Sequence, residues 1–434
     1  MKNIVAVMLI LALICICAAS VFALVQGWQM LEASGVRMRL FENQTVSAEA
    51  TEEKTLQVEG PLSLTVTNGF GFVTVKAVAG SVLRITAEKT AWGGSQADAE
   101  AALADLKVIV EQKGEKIGVR VEQPAEVRAF SIGPGSGSVN FTIEVPLETS
   151  VDLNATNGDL SLEGTSGEAK LKSSFGSVAV KNVTGLASMD TAGGIKAENL
   201  DAGTEAISLH SQYGEIDARG LKGGDISIYS GSGQMTLRDI QASQGLALQS
   251  QFGAIKLTGG QSGPMTVDSN NGSITIEGLR VRGEVKVTSQ FGDISLNNVK
   301  AEAYMIESQN GRILVDGAAG RVSVASQFGE IKLLKAVNVT AKLTAVNGGI
   351  TFEGSLGDGP HVFESEYGSI NLTLPEESAL DFDLKTEFGS ITSEFAMTVK
   401  GKIEEKHWQG KINGGGPELT VHTNNGNITL TISQ

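Results

Sequence analysis

The stretch that decides the fold is Leu246-Ala-Leu-Gln-Ser-Gln-Phe-Gly-Ala-Ile-Lys-Leu257. Apolar and polar residues alternate strictly on both sides of Gly253, the pattern of strands buried on one face. Read this way, Leu246, Leu248, Ser250 and Phe252 face inward, Gln249 and Gln251 face outward, and Ile255 and Leu257 resume the inner face. Glycine at the corner permits a tight bend or a positive φ.

Outward from this copy, the signature x-Gly-x-(Ile/Val/Leu/Met) recurs about every 19 residues. Its glycines are Gly158, Gly176, Gly193, Gly214, Gly233, Gly253, Gly272, Gly292, Gly311, Gly329, Gly348, Gly368, Gly389, Gly410 and Gly426. A small hydroxyl stands three residues before most of them, as at Ser211, Ser250, Ser289 and Ser326; Ala155, Asp190, Ala345 and His407 are exceptions. Immediately before the glycine, large and small residues alternate: Phe252, Asn271, Phe291, Asn310, Phe328, Asn347, Tyr367. The alternation breaks at Phe388, and it defines a longer period of two repeats.

A repeat this short cannot bury its apolar face alone, so neighbours must stack. The expected fold is all-β: a single-stranded parallel β-helix (β-solenoid) with ~19-residue repeats and, by the crossover rule, right-handed winding. One repeat per turn is favoured over two. Inward Ser and Asn are expected to form hydrogen-bonded ladders, with Phe and Tyr filling the interior between them. Fifteen turns would span on the order of 70 Å.

Residues 1–30 carry a membrane anchor or signal peptide. Ile4 to Val25 is apolar apart from Ser20, long enough to span a bilayer, with Lys2 in front and Trp28 behind. Val21-Phe22-Ala23 also offers a cleavage site, so a retained anchor and a cleaved leader both stay open. Either reading exports the rest. The two cysteines, Cys15 and Cys17, lie in this run, so the exported part can hold neither a disulfide nor a thiolate metal site. Ile16 makes Cys17 a poor lipidation site.

Residues 31–55 read as a polar spacer, 56–147 as an N-terminal β region with a helix over 96–110 capped by Ser95, and 148–434 as the repetitive solenoid. Phe70-Gly-Phe-Val73 looks like an outlying copy of the repeat. The N-terminal region is expected to close the open end of the solenoid, since repeat arrays need caps over unpaired edges.

Val145-Pro-Leu147 leading into Thr156-Asn-Gly-Asp-Leu160, the repeated Ser-Gln-Phe-Gly-x-Ile, Lys411-Ile-Asn-Gly-Gly-Gly-Pro417 and Thr423-Asn-Asn-Gly-Asn-Ile428 resemble the bacterial "putative adhesin" family. That resemblance covers roughly residues 56–434. It implies a β-solenoid exported to, or anchored in, a prokaryotic envelope, and it brings no catalytic residues.

The residues themselves point the same way. A formal charge of −15 excludes a nucleic-acid partner. His210, His361, His407 and His422 show no ligand spacing and read as ordinary surface or edge residues. Asp159, Glu215, Asp293 and Glu330 follow corner glycines, but Ser177, Ala254 and Arg312 share that position, so these acids read as solvated charge and not as a Ca²⁺ cage. Ser230-Gly-Ser-Gly233 lacks the Lys-Ser/Thr ending of a phosphate loop. No catalytic residue, metal ligand or cofactor is expected. The site residues are structural turns: Gly158, Gly176, Gly214, Gly253, Gly272, Gly292, Gly311, Gly329, Gly348, Gly368, Gly389 and Gly426.

The expected function is non-catalytic binding at the cell envelope, outside the cytoplasm. The partners expected are a glycan or envelope protein along the solenoid faces and, if residues 4–25 are uncleaved, the membrane. The alternatives are a structural or envelope-stress scaffold and, further off, a polysaccharide lyase or hydrolase. The repeat spacing leaves no insertion long enough to wall a catalytic cleft.

Overall fold

Strands account for 72% of the chain in the computed structural model, which describes residues 46–122, 136–400 and 404–433. The apolar run at residues 4–25 lies outside them. Among the described residues no helix is long and apolar enough to cross a membrane.

The chain is a parallel β-solenoid of about 11 turns. One repeat makes one turn. Leu246 pairs with Met265, Met265 with Val285 and Val285 with Tyr304, each partner one repeat further along. On the next side Ile255, Ile274, Ile294, Ile313, Ile331, Ile350 and Ile370 form one column in parallel register. These isoleucines are at most 1% exposed and belong to one hydrophobic core that runs the length of the molecule. Stacking like on like keeps β-branched side chains in contact with shape-matched neighbours, so each turn is held by the turns on either side. Eleven turns at about 4.8 Å each span roughly 50 Å, less than fifteen turns would.

Two of the fifteen glycine positions depart from a simple series of corners. Gly410 is no solenoid corner: it lies in His407–Ile412, which runs antiparallel to Leu380–Phe388. The last copy, Glu418–Asn425, is laid down out of order. It sits between His361–Tyr367 and Leu380–Phe388, parallel to both.

At the N-terminal end, Leu62–Phe70 and Val73–Val78 add a rung ahead of Thr149–Asn157 and Leu160–Glu163, which makes Phe70-Gly-Phe-Val73 a true copy of the repeat. Beyond that rung the sheet continues through Lys116–Glu122 and Ser136–Pro146, then through antiparallel Val82–Gly93. The expected spacer ends early. Val46–Gln57 is a strand paired antiparallel with Val82–Gly93 along its whole length, its Glu and Lys residues being the exposed side of an outer strand. The helix is shorter than its sequence pattern indicates, Gln96–Asp105, because Lys107–Lys113 pairs as a strand with Lys116–Glu122. Its cap is as expected, the Asp98 backbone N–H donating to Ser95 Oγ at 3.2 Å.

Candidate functional site

The geometry of the corner organises the surface. Ser250 is buried and donates its hydroxyl to the Gly253 carbonyl at 2.9 Å. Ser230 does the same to Gly233 at 2.7 Å and Ser211 to Gly214 at 2.8 Å. The hydroxyl column is therefore inward, as expected, but its bonds go to corner carbonyls rather than along a Ser ladder. The apparent exception at Asp190 is a register effect: Thr191 pairs with Ser173 and Ser211 and fills the hydroxyl place.

This three-residue loop overturns the reading of the aromatic column. The chain turns after Ser250, so Gln251 and Phe252 both point outward and alternation is broken by one residue. Phe175, Tyr213, Phe252, Phe291, Phe328, Tyr367 and Phe388 are between 51% and 69% exposed. The interior is filled instead by Ile, Leu and Val, with Tyr304, Phe352 and Phe363 among the few buried rings. The Asn residues of the column are outside too, and Asn310 Nδ2 donates to the Gln290 carbonyl at 3.3 Å.

The corner glycines stack on one another. A Cβ on Gly272 would come within 2.2 Å of the Gly253 carbonyl oxygen, one on Gly292 within 2.3 Å of that of Gly272, and one on Gly329 within 1.9 Å of that of Gly311. Gly158, Gly176, Gly348, Gly368, Gly389 and Gly426 meet a neighbouring corner carbonyl in the same way, and Gly214 meets the backbone of Gly193 and Gly194. Close approach is the shared requirement. Positive φ is added only at some corners, such as Gly253 at +151° and Gly292 at +136°.

Sequence reasoning missed the strip that results. Reading up the corner, register partners run Phe252, Asn271, Phe291, Asn310, Phe328, Asn347, Tyr367, Asn425, Phe388. An exposed ring thus recurs every second rung, about 9.6 Å apart. Beside this column runs a second one of exposed amides: Gln251, Asn270, Gln290, Gln309 and Gln327. The signal available in the sequence was the outward Gln pair around Ser250.

Along the same side lies a groove of ≈ 520 Å³. One wall includes Asp268, Thr288 and Glu307, and the other includes Asn270, Gln290, Gln309 and Gln327. Ser308 and Ser326 also line it, and neither hydroxyl has a hydrogen-bond partner. The Thr288 hydroxyl donates to Asp268.

The ionisable residues pair locally. Arg312 lies 2.9 Å from Asp293, and its backbone N–H bond to that carboxylate, more than the ion pair itself, holds the acid below its usual range against the opposing effect of burial. Asp159 accepts from the Ser177 backbone N–H at 2.7 Å. His210 lies 2.7 Å from Asp190 and His407 2.9 Å from Asp383. His361 departs from the expected surface role. It is fully buried, with Nε2 3.1 Å from the Gly357 carbonyl. Burial pushes its pKa below the ordinary histidine value, outweighing the Gly357 bond and the nearby Asp358. Among the described residues no group of three or more His, Cys, Asp or Glu could hold a metal ion.

The Toastrack DUF4097 family profile matches residues 83–297 and, overlapping, 265–431. The chain belongs to this family. The Toastrack match covers the solenoid and much of its N-terminal end, and the resemblance to "putative adhesin" proteins read from the repeats stands with it. No curated protein matches this Toastrack chain. Solved structures do, and two of them are similar over most of its length. One, described as a "putative cell adhesion protein" from Clostridium sporogenes, is 9% identical and covers 88% of this chain and 100% of its own, with a TM-score of 0.18. The other, a "putative adhesin" from Bacteroides fragilis, is 14% identical and covers 88% of this chain and 97% of its own, with a TM-score of 0.17. Superpositions this loose carry no structural argument for the Toastrack chain.

Proposed function

We propose that this chain is a non-catalytic binding protein of the cell envelope, exposed outside the cytoplasm, that grips its partner along the side of the solenoid. The observation that carries this reading is the exposed strip at the corner, where aromatic rings recur at one spacing over most of the array. Isolated apolar residues on a protein surface are ordinary, but a regular column of large exposed rings marks an interaction surface. Regular spacing suits many weak contacts made at once, whose combined strength exceeds that of any one. A catalytic role would require acids and bases converging in a cleft. Here the corner acids Asp293 and Asp159 pair instead with a neighbouring cation or backbone N–H.

Residues 4–25, retained as an anchor, would hold the solenoid at the outer face of the cytoplasmic membrane. The test is protease shaving of intact source cells, followed with an antibody against residues 150–430. Loss of signal from intact cells supports exposure at the surface. Protection until the envelope is permeabilised removes surface adhesion and favours an internal scaffold.

A further inference from the structure

We infer that the corner strip is a binding site for an extended, uncharged polysaccharide lying parallel to the solenoid axis. This rests on the binding reading above and names the ligand class for that surface.

Three features select the ligand. The first is the ring spacing. Phe252, Phe291 and Phe328 occupy every second rung of one column, about 9.6 Å apart, with Asn271 and Asn310 between them. The apolar area is divided into separate platforms of one ring each. A protein partner or a second copy of this chain would be better served by a continuous apolar patch, the usual core of a protein interface. An extended β-linked sugar chain has the opposite need. Its pyranose rings present C–H faces at a fixed repeat, and its hydroxyls point sideways between them.

The second feature is the amide column. Gln290, Gln309 and Gln327 stand beside the rings and form one wall of the groove. Each amide offers both donors and an acceptor, the pair of roles that sugar hydroxyls satisfy. A few polar groups placed beside an apolar platform fix the orientation of a ligand that the platform alone would leave free to slide.

The third feature is charge. Asp268 and Glu307 stand on the opposite wall, within a protein of formal charge −15. A polyuronate or a phosphate-bearing polymer would be repelled along its whole length. A neutral chain meets no such barrier, and its hydroxyls can donate to these carboxylates.

Binding should therefore depend on chain length, because a disaccharide reaches one platform while a longer oligosaccharide bridges several. The experiment uses the full chain, with retention measured on insoluble β-1,4-linked glucan and β-1,4-linked N-acetylglucosamine polymer. Soluble oligosaccharides of increasing length from these polymers compete, and polygalacturonate serves as the anionic control. The variant is Phe252→Ala/Phe291→Ala/Phe328→Ala; its rings are exposed, so its melting midpoint should match the parent. Expected results are retention on at least one neutral polymer, competition that strengthens with oligosaccharide length, and a loss on the order of 100-fold in the triple variant.

Retention on neither neutral polymer, preference for polygalacturonate, or full retention by the triple variant would overturn the assignment. So would a dimer in sedimentation that the triple substitution dissolves, since the strip would then be a self-association surface. Binding of the full chain to isolated source-cell envelopes separates the two levels. Envelope binding without glycan retention rejects the ligand class and leaves the proposed function standing, whereas loss of both rejects both.

Discussion

Phe388 pairs in register with Asn425, a residue of the following copy of the repeat, and not with Tyr367 of the copy before it. The ring alternation that breaks at Phe388 in the sequence is thereby continuous in space, running Tyr367, Asn425, Phe388. The strand carrying Asn425 is pinned on both sides, while Leu380–Phe388 is closed on its outer side by antiparallel His407–Ile412.

A chain stopped after Ser393 should lose its last rung, because Leu380–Phe388 would have no strand left to pair with. Hydrogen exchange measured across the chain should show protection lost in 380–393 and kept in 246–294, as expected where stability is local to neighbouring repeats. Undiminished protection in 380–388 would mean that this strand can dock directly on 361–367.

Gly329 and Gly118 both lie outside the positive-φ region, so they isolate the steric cost of the glycine stack. A Cβ on Gly329 meets the Gly311 carbonyl at 1.9 Å, whereas one on Gly118 finds nothing within 4 Å. Gly329→Ala should destabilise by about 1–3 kcal/mol through overpacking. Gly118→Ala should stay within about 0.5 kcal/mol of the parent. Denaturant midpoints of the two variants, with slopes compared, test this directly.

Among the buried hydroxyls, Ser250 and Ser326 make a matched pair. Ser250 donates to the Gly253 carbonyl, while the Ser326 hydroxyl has no partner. Ser250→Ala should cost about 1 kcal/mol, the net value of an ordinary hydrogen bond, and Ser326→Ala close to nothing. Equal losses in thermal unfolding would show that the two corners are alike in solution.

His361 should make stability depend on pH just below neutrality. Its folded pKa is lowered, principally by burial, from the ordinary value of 6.5. Below pH 6.5 the unfolded chain therefore binds a proton that the folded chain resists. Stability is full above that point and should fall as the pH drops toward the folded pKa, by at most about 1.4 kcal/mol per pH unit. His361→Gln should flatten this slope. A second loss belongs to the acids held low in the fold. Asp201, through its bond from Lys222 and the Gly203 N–H, and Asp293, through the Arg312 N–H, give up their contributions only as the pH falls below about 4. A slope near pH 6 that is unchanged in His361→Gln would assign it to another group.

The solenoid was legible because its evidence is repetitive. Each corner glycine and each inward Ile is a weak signal, yet their shared spacing leaves one architecture, and Phe70-Gly-Phe-Val73 was placed correctly on the same logic. The candidate site was not legible, for one local reason. Strict alternation carries Leu246, Leu248 and Ser250 inward, and extending it one step further puts Phe252 inside. The hydroxyl-to-carbonyl loop at Ser250 and Gly253 ends the strand there and turns two successive residues out. A physical clue was available: an interior column alternating Phe with Asn would bury an amide on every second rung, a costly arrangement unless each is bonded. The helix end and the strand Val46–Gln57 were misjudged for a different reason. Both lie where antiparallel pairing across the N-terminal end, and not local propensity, decides the structure.

Among the described residues, neither end of the solenoid offers a plain parallel edge on which another ordinary turn could be laid, since the last copy is wedged between two earlier ones and the first is overlain by Lys116–Glu122, Ser136–Pro146 and Val82–Gly93. A longer or shorter descendant of this protein must therefore arise by changes in the middle of the array. Parity adds a second constraint: one added turn would set two rings or two amides in adjacent rungs, while two added turns leave the pattern whole. The natural unit of growth for this surface is the pair of turns, about 39 residues, carrying one ring and one gap.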